Sequence, residues 1–330
     1  MKQRFSRIIP DPFILGLILM IFLAWVVPGI GMGERTVHLG MLIDAGIFLI
    51  FFLYGLKLNP EKIRQGMRNW RMHLVIQLTT FLLFPLCVLP FYPLAKGTSL
   101  ELFWLALFFL AVLPSTVSSS VVMVSMARGN IPGAIFNASI SGMIGIVVTP
   151  LWMGLFLNRT GGDFNYGTIL VQLLVQIILP VIMGLLLHRW LGKWVTRHLR
   201  QLARFDQLII LLIVYESFSH SFLSGMFRSV GPGVLAALAM AVVALFFGIW
   251  WMTRKVAAFL GFSREDTITT RFAGTKKSLV HGSVFATLLF GGTAGTGLYL
   301  LPIMIYHAFQ LFYISMIARR MGKENNPLHD

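Results

Sequence analysis

Residues 269–283 read TTRFAGTKKSLVHGS, so charged side chains stand where an apolar membrane span is expected. A lysine at the centre of a bilayer costs roughly 2.5–3.5 kcal/mol on insertion scales, and such residues are usually functional. A buried amine can serve as a fixed cation, bind a carboxylate or sulfonate, or exchange a proton. Lys276 and Lys277 would point roughly 100° apart in a helix, so one of them is expected to face the site, and which one stays open. The alternative is a shifted span whose lysines snorkel to a membrane surface.

The composition predicts an integral membrane protein. The 330 residues are 57% hydrophobic, with 28 Phe and 8 Trp, and the mean hydropathy is +0.80. These values lie outside the range of soluble domains. The single cysteine, Cys87, excludes an intrachain disulfide framework and a multi-cysteine metal site.

Windows of about 20 apolar residues predict ten membrane spans. They lie near 11–30, 37–58, 71–93, 100–127, 130–157, 165–190, 205–223, 229–253, 265–290 and 297–318. Twenty of the 27 Lys and Arg residues then fall on one side of the membrane and four on the other. This asymmetry predicts a multi-pass membrane protein with both termini cytoplasmic. It also argues against nucleic acid as a partner, because the basic residues line membrane borders instead of forming one patch.

Two spans are interrupted at corresponding places. The longest cytoplasmic connection, about 188–204, lies near the middle of the chain, and ten spans form two halves of five with opposite orientation, which predicts two inverted repeats. In the fourth span, Pro114 precedes a cluster of hydroxyl residues, and the ninth span is broken around Gly274–Thr275. Broken helices at this depth must face protein or a wet cavity, so four half-helix ends are expected to form a binding site. Along the chain, 1–190 holds spans one to six and 191–330 holds spans seven to ten.

Further polar residues lie within the apolar runs. Asn137 and Ser141 share a helix face. Together with Gln77 and the hydroxyls after Pro114, they could form an oxygen cage for a cation or a polar group, although small residues there also suit plain helix packing. Glu216 and Asp44 could pair with the lysines or with Arg271, or be held protonated. No ATP-binding loop, membrane-protease motif or lipase motif is present in the sequence, which argues against an enzyme and against coupling to ATP by this chain itself.

Several segments resemble one known family. They are FFLYGLKL (51–58), HLVIQ (73–77), ARGN (127–130), IFNASISGMIGIVVTP (135–150) and DTITTRFAGTKKSLVHG (266–282). Taken together they are similar to the bile acid:sodium symporter family, solute carrier family ten, in its divergent branch of bacterial and orphan vertebrate members. The resemblance implies a panel domain of spans one, two, six and seven and a core domain of spans three to five and eight to ten, with substrate bound between them.

The resemblance also implies a set of sodium ligands, from which this chain departs. Sodium-coupled members use a Ser-Asn pair after the first break and a Glu-x-x-x-Gln-Asn sequence at the second. Here Ser119 and Ser120 stand at the first position, and the second region, 273–277, reads AGTKK without the acidic ligand. We therefore expect two-sodium coupling to fail. What would remain is one sodium at Ser119, Ser120 and Asn137, proton coupling through a lysine or Glu216, or no ion coupling.

The sequence thus predicts an all-α, ten-helix membrane protein that works as a secondary transporter, a symporter of a small organic anion, by alternating access. Its expected partners are the anion and the lipid bilayer, with no ATPase subunit, and no cofactor beyond Na⁺ or H⁺ as a coupling ion. The alternatives are an uncoupled or regulatory membrane protein on a transporter scaffold, and a channel-like pore. The candidate binding residues are Gln77, Thr116, Ser119, Ser120, Asn137, Ser141, Glu216, Thr275, Lys276, Lys277 and Ser278.

Overall fold

The structure is a computed structural model that describes residues 12–30, 39–58, 69–116, 118–157, 174–290 and 296–324, and throughout these ranges the regular elements are helices. The main helices are α1 Pro12–Val26, α2 Leu39–Lys57, α3 Trp70–Ala95, α4 Glu101–Val112, α5 Ser118–Met126, α6 Ile131–Leu157, α7 Val175–Arg197, α8 Leu199–Leu223, α9 Pro232–Phe259, α10 Arg264–Gly274, α11 Leu279–Phe290 and α12 Thr296–Glu324.

Six of these helices are long and apolar enough to cross a bilayer, namely α2, α3, α6, α7, α9 and α12. Helices α1 and α4 are apolar but shorter. Outward-facing side chains are strongly apolar, as at Phe22 and Trp25, which are 55% and 64% exposed. The multi-pass membrane class is therefore confirmed. The count of ten spans stays a prediction, and the first part of the sixth predicted span lies outside the described residues.

The chain leaves the helical path at both places marked by the sequence. Helix α4 ends at Val112 and α10 ends at Gly274, and residues 113–116 and 275–278 are not helical. The two breaks are hydrogen-bonded to each other. Ser278 N–H donates to the Pro114 carbonyl at 2.9 Å, and the Ser115 hydroxyl donates to the Ala273 carbonyl at 2.8 Å. The interrupted segments therefore meet within the protein, where their backbone groups find partners.

Neighbouring helices supply the remaining partners of the first break. From α6, the Thr149 hydroxyl donates to the Val112 carbonyl at 2.8 Å, and the Ser141 hydroxyl accepts from Ser115 N–H at 2.9 Å. Both α6 side chains are fully buried. Helix α6 therefore fixes the end of α4 and the start of the non-helical turn.

Helix α12 does the same for the second break. The Gln310 side chain accepts from Lys277 N–H at 3.2 Å and donates to the Lys277 carbonyl at 2.9 Å. One turn earlier, the Tyr306 hydroxyl donates to the Thr275 carbonyl. A single amide side chain thus replaces both helical hydrogen bonds that residue 277 has lost.

The N-terminus of α10 is held by the ARGN segment. The Ser263 hydroxyl caps the helix by accepting from Asp266 N–H at 3.1 Å. The Asn130 side chain donates to the Asp266 carboxylate at 2.7 Å, and Asn130 N–H donates to the Thr269 hydroxyl at 2.8 Å. The turn needs a left-handed residue, Arg128, with φ of 60°. These contacts set the axial position of α10 and hence of the break that follows it.

The helices pack in two groups. Helix α2 runs along α7, where a Cβ on Gly55 would collide with the Val181 carbonyl and one on Gly184 with the Phe52 carbonyl. Helix α1 packs on α8. The second group contains α3 to α6 and α9 to α12, with α10 against α3 and with α4 and α11 against α12. Helix α8 joins the two groups through its contacts with α11 and α12.

Candidate functional site

The Lys277 ammonium occupies the point where the broken helices cross. Its Nζ donates to the backbone carbonyls of Thr80, Ala111 and Leu113 at 2.8, 2.6 and 2.8 Å. The side chain is completely buried. Three acceptors require three N–H donors, so this geometry fits the ammonium and not the neutral amine.

Helix α3 offers a carbonyl to Lys277 because its hydrogen bonding is irregular. Residues Thr79–Leu83 form a π-helical turn, in which Phe84 N–H donates to the Thr79 carbonyl five residues earlier. The next donor in this pattern would be residue 85, which is proline and has no N–H. The carbonyls of Thr80 and Phe81 are therefore left without helical partners. Lys277 takes the first, and the Trp152 indole N–H takes the second at 2.9 Å.

The electrostatics of this position suit a cation. Helix α4 ends at Val112, so the carbonyls around Ala111 and Leu113 carry the partial negative charge of a helix C-terminus. The Lys277 Nζ also lies 4.0 Å from the centroid of the Phe84 ring, within range of a cation–π contact. Among the residues that the structure describes, no carboxylate forms an ion pair with this lysine. Backbone dipoles and an aromatic ring thus replace an acidic partner.

Lys276 has a different environment, although it is equally buried. Its Nζ donates to the Ser119 hydroxyl of α5 at 3.2 Å, and this is its one hydrogen bond within the described parts of the chain. Ser119 in turn belongs to a hydroxyl cluster, in which Thr116 Oγ1 lies 2.8 Å from Ser119 Oγ and 3.0 Å from Ser120 Oγ. The two adjacent lysines therefore have different partners. Lys277 donates to backbone carbonyls, and Lys276 donates to a side-chain hydroxyl.

A cavity of about 300 Å³ opens beside the hydroxyl cluster, between the two groups of helices. We call it the central cavity. Its polar lining comes from Tyr54, Lys57, Thr116, Ser119, Ser139, Asp206, Gln207, Ser278, His281 and His307. Its apolar lining includes Phe13, Ile50, Phe51, Ile210, Leu279 and Leu311. A cavity with mainly apolar walls and a few convergent polar groups is the usual form of a small-molecule site.

The polar side chains of the central cavity lie in separate parts of its wall. At one end, His281 Nδ1 lies 2.9 Å from the Ser278 hydroxyl, and its buried Nε2 has no hydrogen-bond partner within the described residues. At another, Lys57 and Asp206 form an ion pair at 3.1 Å. The Tyr54 hydroxyl of α2 donates to the Ser139 carbonyl of α6 and so links the two helix groups beside the cavity. Because it is buried, the His281 Nε2 atom is enclosed by protein and is not open to the cavity.

The structure separates the predicted oxygen cage into two places. Ser141 lies at the first break through its bond to Ser115 N–H. The Asn137 side chain instead lies between α3 and α6, where its amide nitrogen is 2.7 Å from His73 Nδ1 and its oxygen accepts from Gln77 at 3.0 Å. Neither Asn137 nor Gln77 lines the central cavity. Thr275 is buried at the second break, with its hydroxyl donating to the Arg271 carbonyl.

The intramembrane acids lie apart from the lysines. Glu216 and Asp44 line a second cavity of about 170 Å³ together with His220, and no described ion pair joins either acid to Lys276 or Lys277. Arg271 is not paired with them either, because its guanidinium lies over the Trp250 ring at 4.1 Å from the centroid. In the described residues, no group of three or more His, Cys, Asp or Glu side chains could hold a metal ion.

Several residues of the crossing were missed from the sequence. Gln310, Tyr306 and Thr80 make direct contacts with residues 275 to 277. Two signals could have found them, namely an amide in the apolar tenth span at Gln310 and a proline in the third span at Pro85. The carbonyl of Thr80 has no side-chain signature of its own, because every residue has a backbone carbonyl. Only Pro85, which lacks the N–H that could bind this carbonyl, marks it in the sequence.

Comparison with known proteins agrees with these features. Residues 11–323 match the profile of the SBF-like CPA transporter family. The chain belongs to this family. The resemblance to the bile acid:sodium symporters is thereby confirmed, and an SBF-like protein is a member of a transporter family, not of an enzyme family.

Three relatives of this SBF-like protein cover nearly its whole length. A Pseudomonas aeruginosa protein is 37% identical over 320 residues, 97% of this chain and 95% of the relative. The Escherichia coli protein named "Putative symporter YfeH" is 35% identical over 321 residues, 96% and 95% of the two chains. The zebrafish (Danio rerio) sodium/bile acid cotransporter 7 is 27% identical over 320 residues, 94% of each chain.

Proposed function

We propose that this protein is a secondary transporter, a symporter-type carrier of a small organic anion, that works by alternating access. The observation that carries the proposal is a buried lysine side chain, Lys276, one hydroxyl group away from a cavity of about 300 Å³ between two groups of helices. A buried cation without a carboxylate partner favours an anionic ligand, because the ligand supplies the missing charge.

Ser119 is the proposed link between the cation and the substrate. Its oxygen accepts from Lys276 Nζ at 3.2 Å, and it also lines the central cavity. A hydroxyl that accepts from an ammonium keeps its own O–H to donate outward. A carboxylate or sulfonate in the cavity could therefore accept from Ser119 and be stabilised by the charge behind it. Thr116, which also lines the cavity and lies 2.8 Å from Ser119 Oγ, would supply a second hydroxyl contact.

The apolar walls support an amphipathic anion over a compact inorganic one. Phe13, Phe51 and Leu279 line the cavity away from the hydroxyl cluster. Burial of apolar ligand surface contributes about 25 cal/mol per Å², so an organic body would bind more tightly than a bare ion. The substrate we infer thus carries one acidic group and a hydrocarbon part.

The Lys277 ammonium bears on ion coupling. It already satisfies the Thr80, Ala111 and Leu113 carbonyls, a ligand set of the oxygen type that hard cations prefer. Adding Na⁺ beside a fixed positive charge is unfavourable in a site of low dielectric constant. We therefore propose that coupling to two sodium ions is absent. A single Na⁺ at Ser119 and Ser120 would meet the same repulsion from Lys276, whose Nζ lies 3.2 Å from the Ser119 hydroxyl, so any coupling is expected to use H⁺.

The helix packing supports a panel and a core that move relative to each other. Helices α1, α2, α7 and α8 would form the panel and the other helices the core, in agreement with the close packing of α2 on α7 and of α1 on α8. The central cavity lies where these groups meet. We propose the same ten-span inverted repeat in the bacterial inner membrane with both termini cytoplasmic.

The test is uptake of radiolabelled organic anions by proteoliposomes, with external Na⁺ or choline. Wild-type protein and the exposed-lysine control Lys255→Gln are expected to carry the anion in choline, whereas Lys276→Gln loses uptake. Uptake that needs Na⁺ with a Hill coefficient near two would contradict the proposed coupling. Binding of anions without flux of any would favour the uncoupled or regulatory alternative.

A further inference from the structure

A second apolar groove lies on the outer face of the helix bundle, away from the central cavity. It has a volume of about 580 Å³ and runs between α2, α7 and α8. Leu53, Leu56 and Leu202 form its floor, and they are 4%, 1% and 8% exposed. Trp194 and Phe205 form its walls. We call it the α2–α7–α8 groove.

The rim of this groove is basic and lacks compensating acids. Residues 164–205 contain Arg189, Lys193, Arg197, Arg200 and Arg204 and no Asp or Glu. The next residue, Asp206, lines the central cavity and is paired with Lys57. Arg197 follows the groove residue Trp194 by three positions, and Arg204 follows the groove residue Gln201 by three, so each arginine shares a helix face with the groove. Both arginines are exposed, and neither is in an ion pair within the described residues.

The basic residues of α7 are closely spaced. Arg189, Lys193 and Arg197 are spaced four residues apart along α7, and like charges at this spacing repel each other. A phosphate group between α7 and α8 would offset the repulsion and accept hydrogen bonds from guanidinium groups. Its acyl chain would cover the leucine floor.

We propose that the α2–α7–α8 groove binds an anionic phospholipid, with an acyl chain on Leu53, Leu56 and Leu202 and the phosphate between Arg197 and Arg204. Basic pockets between helices at a membrane border are suited to anionic headgroups, and the indole of Trp194 is suited to the same depth. The groove shares no lining residue with the central cavity, and the proposal does not depend on the proposed function.

Charge complementarity favours a lipid over a second copy of the chain. A two-fold symmetric contact through this groove would bring the same basic rim of each copy together. Those charges would repel, with no acid in residues 164–205 to offset them. A free phosphate ion, for its part, would leave the leucine floor uncovered.

Native mass spectrometry and thermal unfolding of the full chain in neutral detergent test the proposal. Phosphatidylglycerol is expected to bind and to raise the melting temperature, whereas phosphatidylcholine with the same acyl chains and inorganic phosphate are not. Each basic residue near an anionic headgroup contributes about fivefold in affinity, so Arg197→Ala with Arg204→Ala should weaken phosphatidylglycerol binding about 25-fold. The matched control is Arg254→Ala with Lys255→Ala, two exposed cations of α9, with unchanged affinity.

A second variant tests the apolar part without changing charge. Leu191 lines the groove and is 38% exposed, so Leu191→Trp is expected to narrow the groove without unfolding the protein. It should weaken phosphatidylglycerol binding while the rim stays intact. Equal binding of the two lipids, retained affinity in the double arginine variant, or a dimer that buries Leu191 would each overturn the proposal.

Discussion

Ser278 N–H donates a hydrogen bond of 2.9 Å to the carbonyl of Pro114, so the two helix breaks are joined backbone to backbone. The Ser115 hydroxyl strengthens the link by donating to the Ala273 carbonyl at 2.8 Å. Hydrocarbon cannot satisfy such groups, so each break makes the other possible. The crossing is consequently a fixed arrangement of dipoles, into which the Lys277 ammonium fits.

Removal of the Lys277 ammonium should destabilise the fold. Lys277→Met leaves the Thr80, Ala111 and Leu113 carbonyls without a donor, and each unsatisfied buried group costs about 1–3 kcal/mol. We expect a loss of at least about 3 kcal/mol, measured as a lower melting temperature in detergent. Lys255→Met, at an exposed position, is the control and should melt like the wild type.

The vacated carbonyls should bind small cations. In Lys277→Ala, three backbone oxygens would surround a space that an ammonium group fills in the wild type. Methylammonium or Na⁺ is expected to raise the melting temperature of this variant in a concentration-dependent way, because such oxygens are ligands of hard cations. The wild type should show no such response. Equal responses of both proteins would mean that the lysine does not occupy a cation position.

The neighbouring lysine should behave differently. Lys276 has a single described hydrogen bond, to Ser119, so Lys276→Gln is expected to cost only about 1 kcal/mol of stability. Its effect should instead appear in the binding of organic anions, with an affinity loss of tenfold or more in a thermal-shift titration. A melting temperature as low as that of Lys277→Met would assign Lys276 a structural role.

Pro85 is expected to stabilise the fold, although a proline inside a helix is usually destabilising. Pro85→Ala introduces an N–H that competes for the carbonyls of Thr80 and Phe81, which Lys277 and Trp152 now occupy. Its melting temperature is therefore expected to fall. Pro302→Ala in α12 is the matched control and should hold or raise the melting temperature, since removing a helix-interior proline ordinarily relieves strain.

Replacing the Gln310 amide with an apolar side chain is expected to destabilise the fold. Gln310→Leu leaves both backbone groups of Lys277 unpaired in the interior, at a cost of about 2–6 kcal/mol. Gln310→Glu keeps the acceptor and loses the donor, so its melting temperature should lie between those of the wild type and Gln310→Leu. A Gln310→Leu protein as stable as the wild type would show that the second break finds other partners.

The separation of the predicted acids from the lysines has a simple reason. The cost of burying Glu216 could be read locally, but its partner could not, because pairing depends on how α8 packs against α2 and α11. Packing places Glu216 beside Asp44 and His220 in the second cavity. Asn137 is a similar case, since its position in α6 fits either the crossing or the contact with His73 that the structure has.

The sequence by itself determined the membrane class, the family, the two break positions and the unusual cost of two lysines at the second break. These conclusions follow from local sequence, because the residues of a single span are enough to show that a charged side chain in it is costly to bury. Only the tertiary structure decided which lysine meets the crossing and what neutralises it. The partners of Lys277 lie 164 to 197 residues away along the chain, and they are backbone carbonyls, which carry no side-chain signature.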